Sequence, residues 1–118
     1  MNYDDAVKLL KSQGKFYINL GLERVRSVLN ILDNPQDNLK CIHVAGTNGK
    51  GSVCAIVSSI LKYSGIKVGL YTSPHIFEYT ERIKINDEFI SKNDFAKYVQ
   101  FVCKTADENE IHLTEFEI

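Results

Sequence analysis

An α/β chain built on a parallel βαβ unit is the fold class the sequence predicts, and three observations predict it. "KCIHVA", residues 40–45, is short, apolar and partly β-branched, which is the make-up of a buried strand. "GTNGKGS", residues 46–52, follows as a glycine-rich turn and opens onto Val53, Ile56, Val57, Ile60 and Leu61, one apolar stripe at helical spacing closed by Gly65. "IKVGLYT", residues 66–72, reads as a second buried strand. Strand, loop, helix and strand in that order imply two parallel strands joined by a right-handed crossover.

The flanking segments follow the same logic. Apolar residues at 6, 7, 9 and 10 predict a short first helix ending by Gly14. Leu22, Val25, Val28, Leu29 and Leu32 predict a second, which "DNPQDN" breaks. After the βαβ unit, "TSPHIFEYTE" has neither period and reads as a loop. "RIKI", the turn "NDE" and "FI" then predict a hairpin. Ser91 and Asp94 have capping-box spacing ahead of Phe95, Tyr98, Val99 and Val102, which share a helical face. "TADENE" is read as a polar break. Thr114 with Glu117 repeats the capping-box spacing, so a helix is expected to begin where the sequence stops. Two parallel strands alone make a poor sheet, since such sheets need both faces covered and usually more strands. Residues 1–118 are therefore expected to be the N-terminal portion of a larger domain.

Composition narrows the functions. The chain has 118 residues, 44% hydrophobic and 25% charged, with a net charge of −1. That describes one ordinary globular domain without the broad basic surface that nucleic acid requires. No apolar run is long enough to span a membrane and no signal-peptide pattern opens the chain, so a cytoplasmic protein is expected. Cys41, Cys54 and Cys103 form no C-x-x-C pair, which suggests neither a disulfide frame nor a zinc site.

The glycine loop carries the chemistry. A Walker loop wants glycine at 44 and a hydroxyl at 51, where this sequence has Val44 and Gly51. Its context is nonetheless that of an anion site, because the loop ends a strand and begins an amphipathic helix. Gly46, Gly49 and Gly51 let the backbone wrap a phosphate, Lys50 brings an ammonium, and Thr47 and Ser52 bring hydroxyls. A tight strand-to-helix turn with an incidental lysine is the plainer alternative.

"GTNGKGS", preceded by "HVA" and followed by "SSILKYSGIKVGLYTSPHI", resembles the folylpolyglutamate synthase and dihydrofolate synthase family. "LGLERVRSVLNIL", "TSPHIFEYTERIKI" and "LTEFE" extend the resemblance over nearly the whole chain. The family belongs with the Mur ligases, whose phosphate loop has this short glycine spacing. The resemblance implies a P-loop-containing, Mur-ligase-like ATP-binding domain, of which residues 1–118 are the N-terminal part. It implies a reaction in which ATP phosphorylates a carboxylate and L-glutamate attacks the acyl phosphate. The carboxylate belongs to dihydropteroate or to a folate.

Residue by residue, the resemblance places Gly46, Thr47, Asn48, Gly49, Lys50, Gly51 and Ser52 on the phosphates of ATP, with Lys50 meeting the charge that develops in transfer. It assigns Mg2+ an oxygen from Ser73, a hydroxyl that serves equally to cap the turn before Pro74. The other metal ligands of the family fall beyond Ile118. For the pterin and its carboxylate it points to Asn19, Leu20 and Gly21, to Thr114, Glu115, Phe116 and Glu117, and to His75 and Arg82. A Glu117 carboxylate would accept a pterin's planar donor pair, or simply partner Thr114 as a cap. Arg82 would meet the ligand's carboxylate, or stand solvated in the hairpin. Phe77 and Tyr79 would cover an aromatic ring or pack in the core, while His43 and His112 are read as structural.

A Mur-type peptide ligase and a nucleotide-binding module without chemistry are the alternatives; "GKG" and "TSPHI…ERI" favour the folate branch over the first. The 118 residues alone are expected to be inactive as a ligase and to self-associate.

Overall fold

The computed structural model describes residues 1–14 and 21–118, so the sequence-based assignment of Asn19 and Leu20 lies outside the described residues. The chain divides into two compact units, residues Met1–Lys40 with Lys92–Ile118, and residues Cys41–Ser91.

The first unit is helical. Helix α1 spans Tyr3–Ser12 and starts on a full capping box: Asp5 N–H donates to Asn2 Oδ1 at 2.9 Å and Asn2 N–H to Asp5 Oδ2 at 3.3 Å. Helix α2 spans Glu23–Ile31, and the Pro35–Asn38 turn of 3₁₀ helix follows it. Helix α4 spans Lys92–Glu108, with Asp94 in its first turn. Helices α1 and α4 pack together through Ala6, Leu10, Phe95, Ala96 and Val99, with the Tyr3 and Phe95 rings 5.5 Å apart. Small residues at 6 and 96, both fully buried, sit in this core and cover one helix face with the other. A second cluster joins Val28, Ala106 and Leu113, flanked by Leu32, Val102, Ile111 and Ile118.

Two details of α4 depart from expectation. Tyr98 is exposed, because the buried face runs through Phe95, Val99, Cys103 and Ala106, spaced four, four and three apart. The polar stretch from Thr105 does not break the helix. Thr105 returns its hydroxyl to the Phe101 carbonyl at 2.9 Å and Ala106 enters the core, so the helix persists until Asn109 and Glu110, the latter at φ 56°.

The second unit holds helix α3, Lys50–Tyr63, and strands β1 (Gly69–Tyr71), β2 (Ile83–Ile85) and β3 (Glu88–Phe89) in the order β1-β2-β3. The expected hairpin is there. Asn86 and Asp87, at φ 48° and 69°, form its two-residue turn, the primed geometry that matches strand twist. Asn86 also binds Val68 twice, through its amide N–H to the Val68 carbonyl and through Oδ1 from the Val68 N–H, both at 2.9 Å.

The α/β class stands, but the parallel pairing inside it does not form among the described residues. Both strand pairs are antiparallel, with Leu70 opposite Lys84 and Lys84 opposite Phe89. Residues 41–45 carry no strand, and Ile42 is two-thirds exposed. β1 pairs through one edge with β2, which the short hairpin turn brings into register with β3, and no strand lies on its other edge among the described residues. The α3 stripe shifts accordingly. Val57 and Leu61 are half-buried and Ser58 buried, whereas Val53, Ile56 and Ile60 are exposed at 46%, 61% and 60%.

Candidate functional site

Gly46 and Gly49 have φ of 152° and 80°, and a Cβ built at either would meet nothing within 4 Å. The glycines are thus needed for backbone conformation, and the space beside them is open. Gly49 is the N-cap of α3, with no side chain capping the helix. The first helical bond runs from Val53 N–H to the Gly49 carbonyl at 3.0 Å, which leaves the N–H groups of Lys50, Gly51 and Ser52 outside the ladder. Lys50 folds back over the loop, donating to the carbonyls of Gly46 at 2.6 Å and Thr47 at 3.2 Å. The ammonium is therefore held at the loop itself, on the carbonyls of Gly46 and Thr47.

The segment after β1 belongs to the same unit. Thr72 N–H donates to the Arg82 carbonyl at 3.0 Å, and the intervening loop contains exposed Ser73 and a cis Ser73–Pro74 bond. Glu81 ties this loop internally. Its carboxylate accepts from Ile76 N–H at 2.9 Å, from Phe77 N–H at 2.7 Å and from Glu78 N–H. Arg82 donates its Nε–H to His75 Nδ1 at 2.8 Å, and its guanidinium lies 5.4 Å from the centre of the Tyr79 ring. Tyr79 is buried beneath His75, with ring centres 4.3 Å apart, while Phe77 is 87% exposed. Of the two aromatic residues offered as ring covers, Tyr79 is committed to this cluster.

The backbone N–H donors of Ile76 and Glu78, with lesser help from Phe77 and His75, hold the Glu81 carboxyl below its ordinary value and outweigh the opposing effect of burial. A depressed folded value means that these bonds stabilise the loop above the unfolded glutamate range, about pH 4.3, and are lost as pH falls through the folded value. Glu81→Gln is expected to flatten the dependence of thermal stability on pH below about pH 5. An acid limb in the variant's melting curves as steep as the wild type's would refute this role.

The other sequence-assigned residues fall in the first unit. Gly21 precedes α2 at φ 147°. Thr114 and Glu117 form the reciprocal pair their spacing predicts: Thr114 N–H and Oγ1–H donate to Glu117 Oε2 at 2.9 and 3.0 Å, and Glu117 N–H donates to Thr114 Oγ1 at 3.3 Å. Arg24 closes on the other carboxylate oxygen, with Nε and Nη2 at 2.9 and 2.8 Å. Burial pushes the Glu117 carboxyl up, but the Arg24 and Thr114 bonds outweigh it and its value is lowered overall. Glu115 is half-buried and Phe116 almost fully exposed. His43 and His112, read as structural, are both exposed.

The second unit contains both the Gly46–Ser52 loop and the Ser73, His75 and Arg82 segment, and the first holds Gly21 and Thr114–Glu117. Sequence reasoning missed two supporting residues. Glu81 was legible in the E-x-x-E spacing of Glu78 and Glu81, which also forms a capping box for the Tyr79–Arg82 turn. Arg24 gave no signal, because its partner lies 93 residues away.

The loop fits nucleotide phosphates: open glycines, free N–H groups and a lysine are the donor set that such oxygens need. The residues present do not by themselves compose a magnesium site. Among the described residues no three His, Cys, Asp or Glu side chains cluster, and Ser73 offers one neutral oxygen where magnesium demands six.

No protein-family model matches the chain. Curated relatives do. The chain is 37% identical to a dihydrofolate synthase/folylpolyglutamate synthase of Bacillus subtilis, over 98% of this chain and 28% of the relative. It is 38% identical to a dihydrofolate synthetase of Saccharomyces cerevisiae, over 86% of this chain and 24% of the relative. Among solved structures, a folylpolyglutamate synthetase from Lactobacillus casei matches 99% of this chain and 30% of its own, at 37% identity and a TM-score of 0.90. A folylpolyglutamate synthase complex with AMPPCP and folate matches with the same values. The chain therefore spans about a quarter to three tenths of the length of these relatives. With its fold and more than a third of its residues in common with them, the chain belongs to the folylpolyglutamate synthase/dihydrofolate synthase family.

Proposed function

We propose that this chain supplies the phosphate-binding part of an ATP-dependent ligase, which joins L-glutamate to the carboxylate of a folate or dihydropteroate through an acyl phosphate. The observation that carries this reading is the Gly46–Ser52 loop, with its two glycines at positive φ and Lys50 bound across it. In phosphoryl transfer, charge on the γ-phosphoryl oxygens is met by fixed donors, and the N–H groups of Lys50, Gly51 and Ser52 with the Lys50 ammonium are such donors. The likeness to a relative that holds AMPPCP, an ATP analogue, together with folate supports the same ligand pair. Mg2+ would accompany the nucleotide as its counter-ion, with Ser73 offering it one oxygen. Arg82 is assigned the ligand's carboxylate, and Gly21 and Thr114–Glu117 the pterin.

The 118 residues are proposed to bind nucleotide without ligase turnover, because the described residues offer no metal-ligand cluster. Val53, Ile56 and Ile60, exposed along one side of α3, favour self-association. No described helix is long and apolar enough to cross a membrane; a cytoplasmic placement is proposed for the chain.

Thermal shift with ATP, folate and a UDP-sugar, together with a glutamate-ligation assay and light scattering, tests all of this. ATP and folate are expected to raise the melting temperature and the UDP-sugar to leave it unchanged. A UDP-sugar response in place of the folate response would favour a Mur-type ligase, and no ATP response would end the nucleotide reading. Turnover from a monodisperse monomer would overturn the proposals of inactivity and self-association.

A further inference from the structure

We propose that His75 is a positioning residue for Arg82, holding its guanidinium with the outer two nitrogens free to take a carboxylate end-on. The inference rests on the carboxylate reading of Arg82 above and adds what makes that arginine competent. Arg82 Nε–H donates to His75 Nδ1 at 2.8 Å, so the imidazole is an acceptor on that nitrogen and carries its proton on Nε2. Tyr79, 9% exposed, underlies both groups: the His75 ring centre is 4.3 Å from its own and the guanidinium carbon 5.4 Å away. One edge of the guanidinium is thereby used and one of its faces supported. What remains is the pair of Nη groups, whose parallel N–H bonds match the two oxygens of a carboxylate.

The surrounding charges make this more than a packing arrangement. Glu81, next in sequence, is the obvious neutralising partner for Arg82. Its two oxygens are instead taken by the N–H groups of Ile76, Phe77 and Glu78. Among the described residues Arg82 forms no ion pair. A rigidly held guanidinium, with its nearest carboxylate engaged elsewhere, is prepared for an external anion and has little rotamer entropy left to lose on binding it. The groups facing His75 are Arg82, Tyr79 and, through its charge, Glu81. The histidine therefore acts through Arg82 and need not touch the ligand.

The test combines NMR on the chain with folate titration of the wild type, His75→Asn, His75→Phe, Arg82→Ala and the His75→Phe/Arg82→Ala double variant. In the wild type, His75 should show the Nε2-protonated tautomer and Arg82 a slowly exchanging Nε–H. His75→Phe keeps a ring on Tyr79 but removes the acceptor. It should abolish that protection and weaken folate by about fivefold to tenfold, the value of one hydrogen bond. His75→Asn, whose Oδ1 can replace Nδ1, should restore both the protection and most of the affinity. In the Arg82→Ala background, His75→Phe should change affinity less than about twofold, as coupled groups do. An Nδ1-protonated His75, an unprotected Arg82 Nε–H, or a His75 effect undiminished without Arg82 would overturn the inference. Wild-type folate affinity in Arg82→Ala, with the Nε–H still protected in the wild type, would instead remove the carboxylate reading while leaving the His75–Arg82 geometry intact.

Discussion

Lys50→Ala is expected to weaken binding of AMPPCP by roughly tenfold to a hundredfold, the worth of one charge-assisted hydrogen bond of about 1.5–3 kcal/mol. Lys50 is exposed, so its truncation opens no cavity and the helices should survive. Its ammonium already holds the loop by the carbonyls of Gly46 and Thr47, at 2.6 and 3.2 Å. Part of the loss should therefore be disorder of the empty loop, and the rest the missing cation at the phosphates. Lys50→Met separates the two badly, since it lacks both bonds, whereas Lys50→Arg keeps the charge with a different shape. Arginine should recover only part of the affinity. Titration calorimetry with far-UV circular dichroism measures this, and wild-type affinity in a folded Lys50→Ala chain would disprove it.

Gly49→Val should damage the same loop through the backbone. Gly49 sits at φ 80°, where a side chain costs about 1–2 kcal/mol and a β-branched one more. Space is not the obstacle, because a Cβ there meets nothing within 4 Å. The chain would relax by leaving the left-handed conformation, and the N–H groups that open α3 would turn with it. Stability should fall by about 1–2 kcal/mol and AMPPCP binding should be lost. Gly51→Ala is the comparison: it lies inside α3, also in open space, and should gain about 0.5–1 kcal/mol in helix stability. Urea unfolding of the two variants beside the wild type decides the matter. Equal stability and affinity for Gly49→Val would show that the loop does not depend on this conformation.

Much of the candidate site could be read from the chain because it is local. Glycines at 46 and 49, a lysine at 50 and a helix from that point onward need only neighbours within four residues, and the short spacing between them is printed in the sequence. The Thr114–Glu117 pair and the hairpin at Asn86–Asp87 were legible for the same reason. Helix α4 shows where local reading errs: "TADENE" looks polar, yet Thr105 satisfies its hydroxyl on its own helix and Ala106 belongs to a core supplied by Val28 and Leu113.

What the sequence by itself determined is the glycine loop, the helix it opens and the resemblance to the family. Those depend on torsional preference and on contacts a few residues apart. Only the tertiary structure decided which edge of β1 is paired, which side of α3 is covered, and that Glu117 is held by Arg24 from 93 residues away. It also decided that Arg82 leans on His75 and Tyr79 while Glu81 turns to the backbone. The physical reason is the same in each case. Strand partners, buried faces and charge pairs are chosen by competition among groups brought together in space, and a one-dimensional pattern states the competitors without naming the winner.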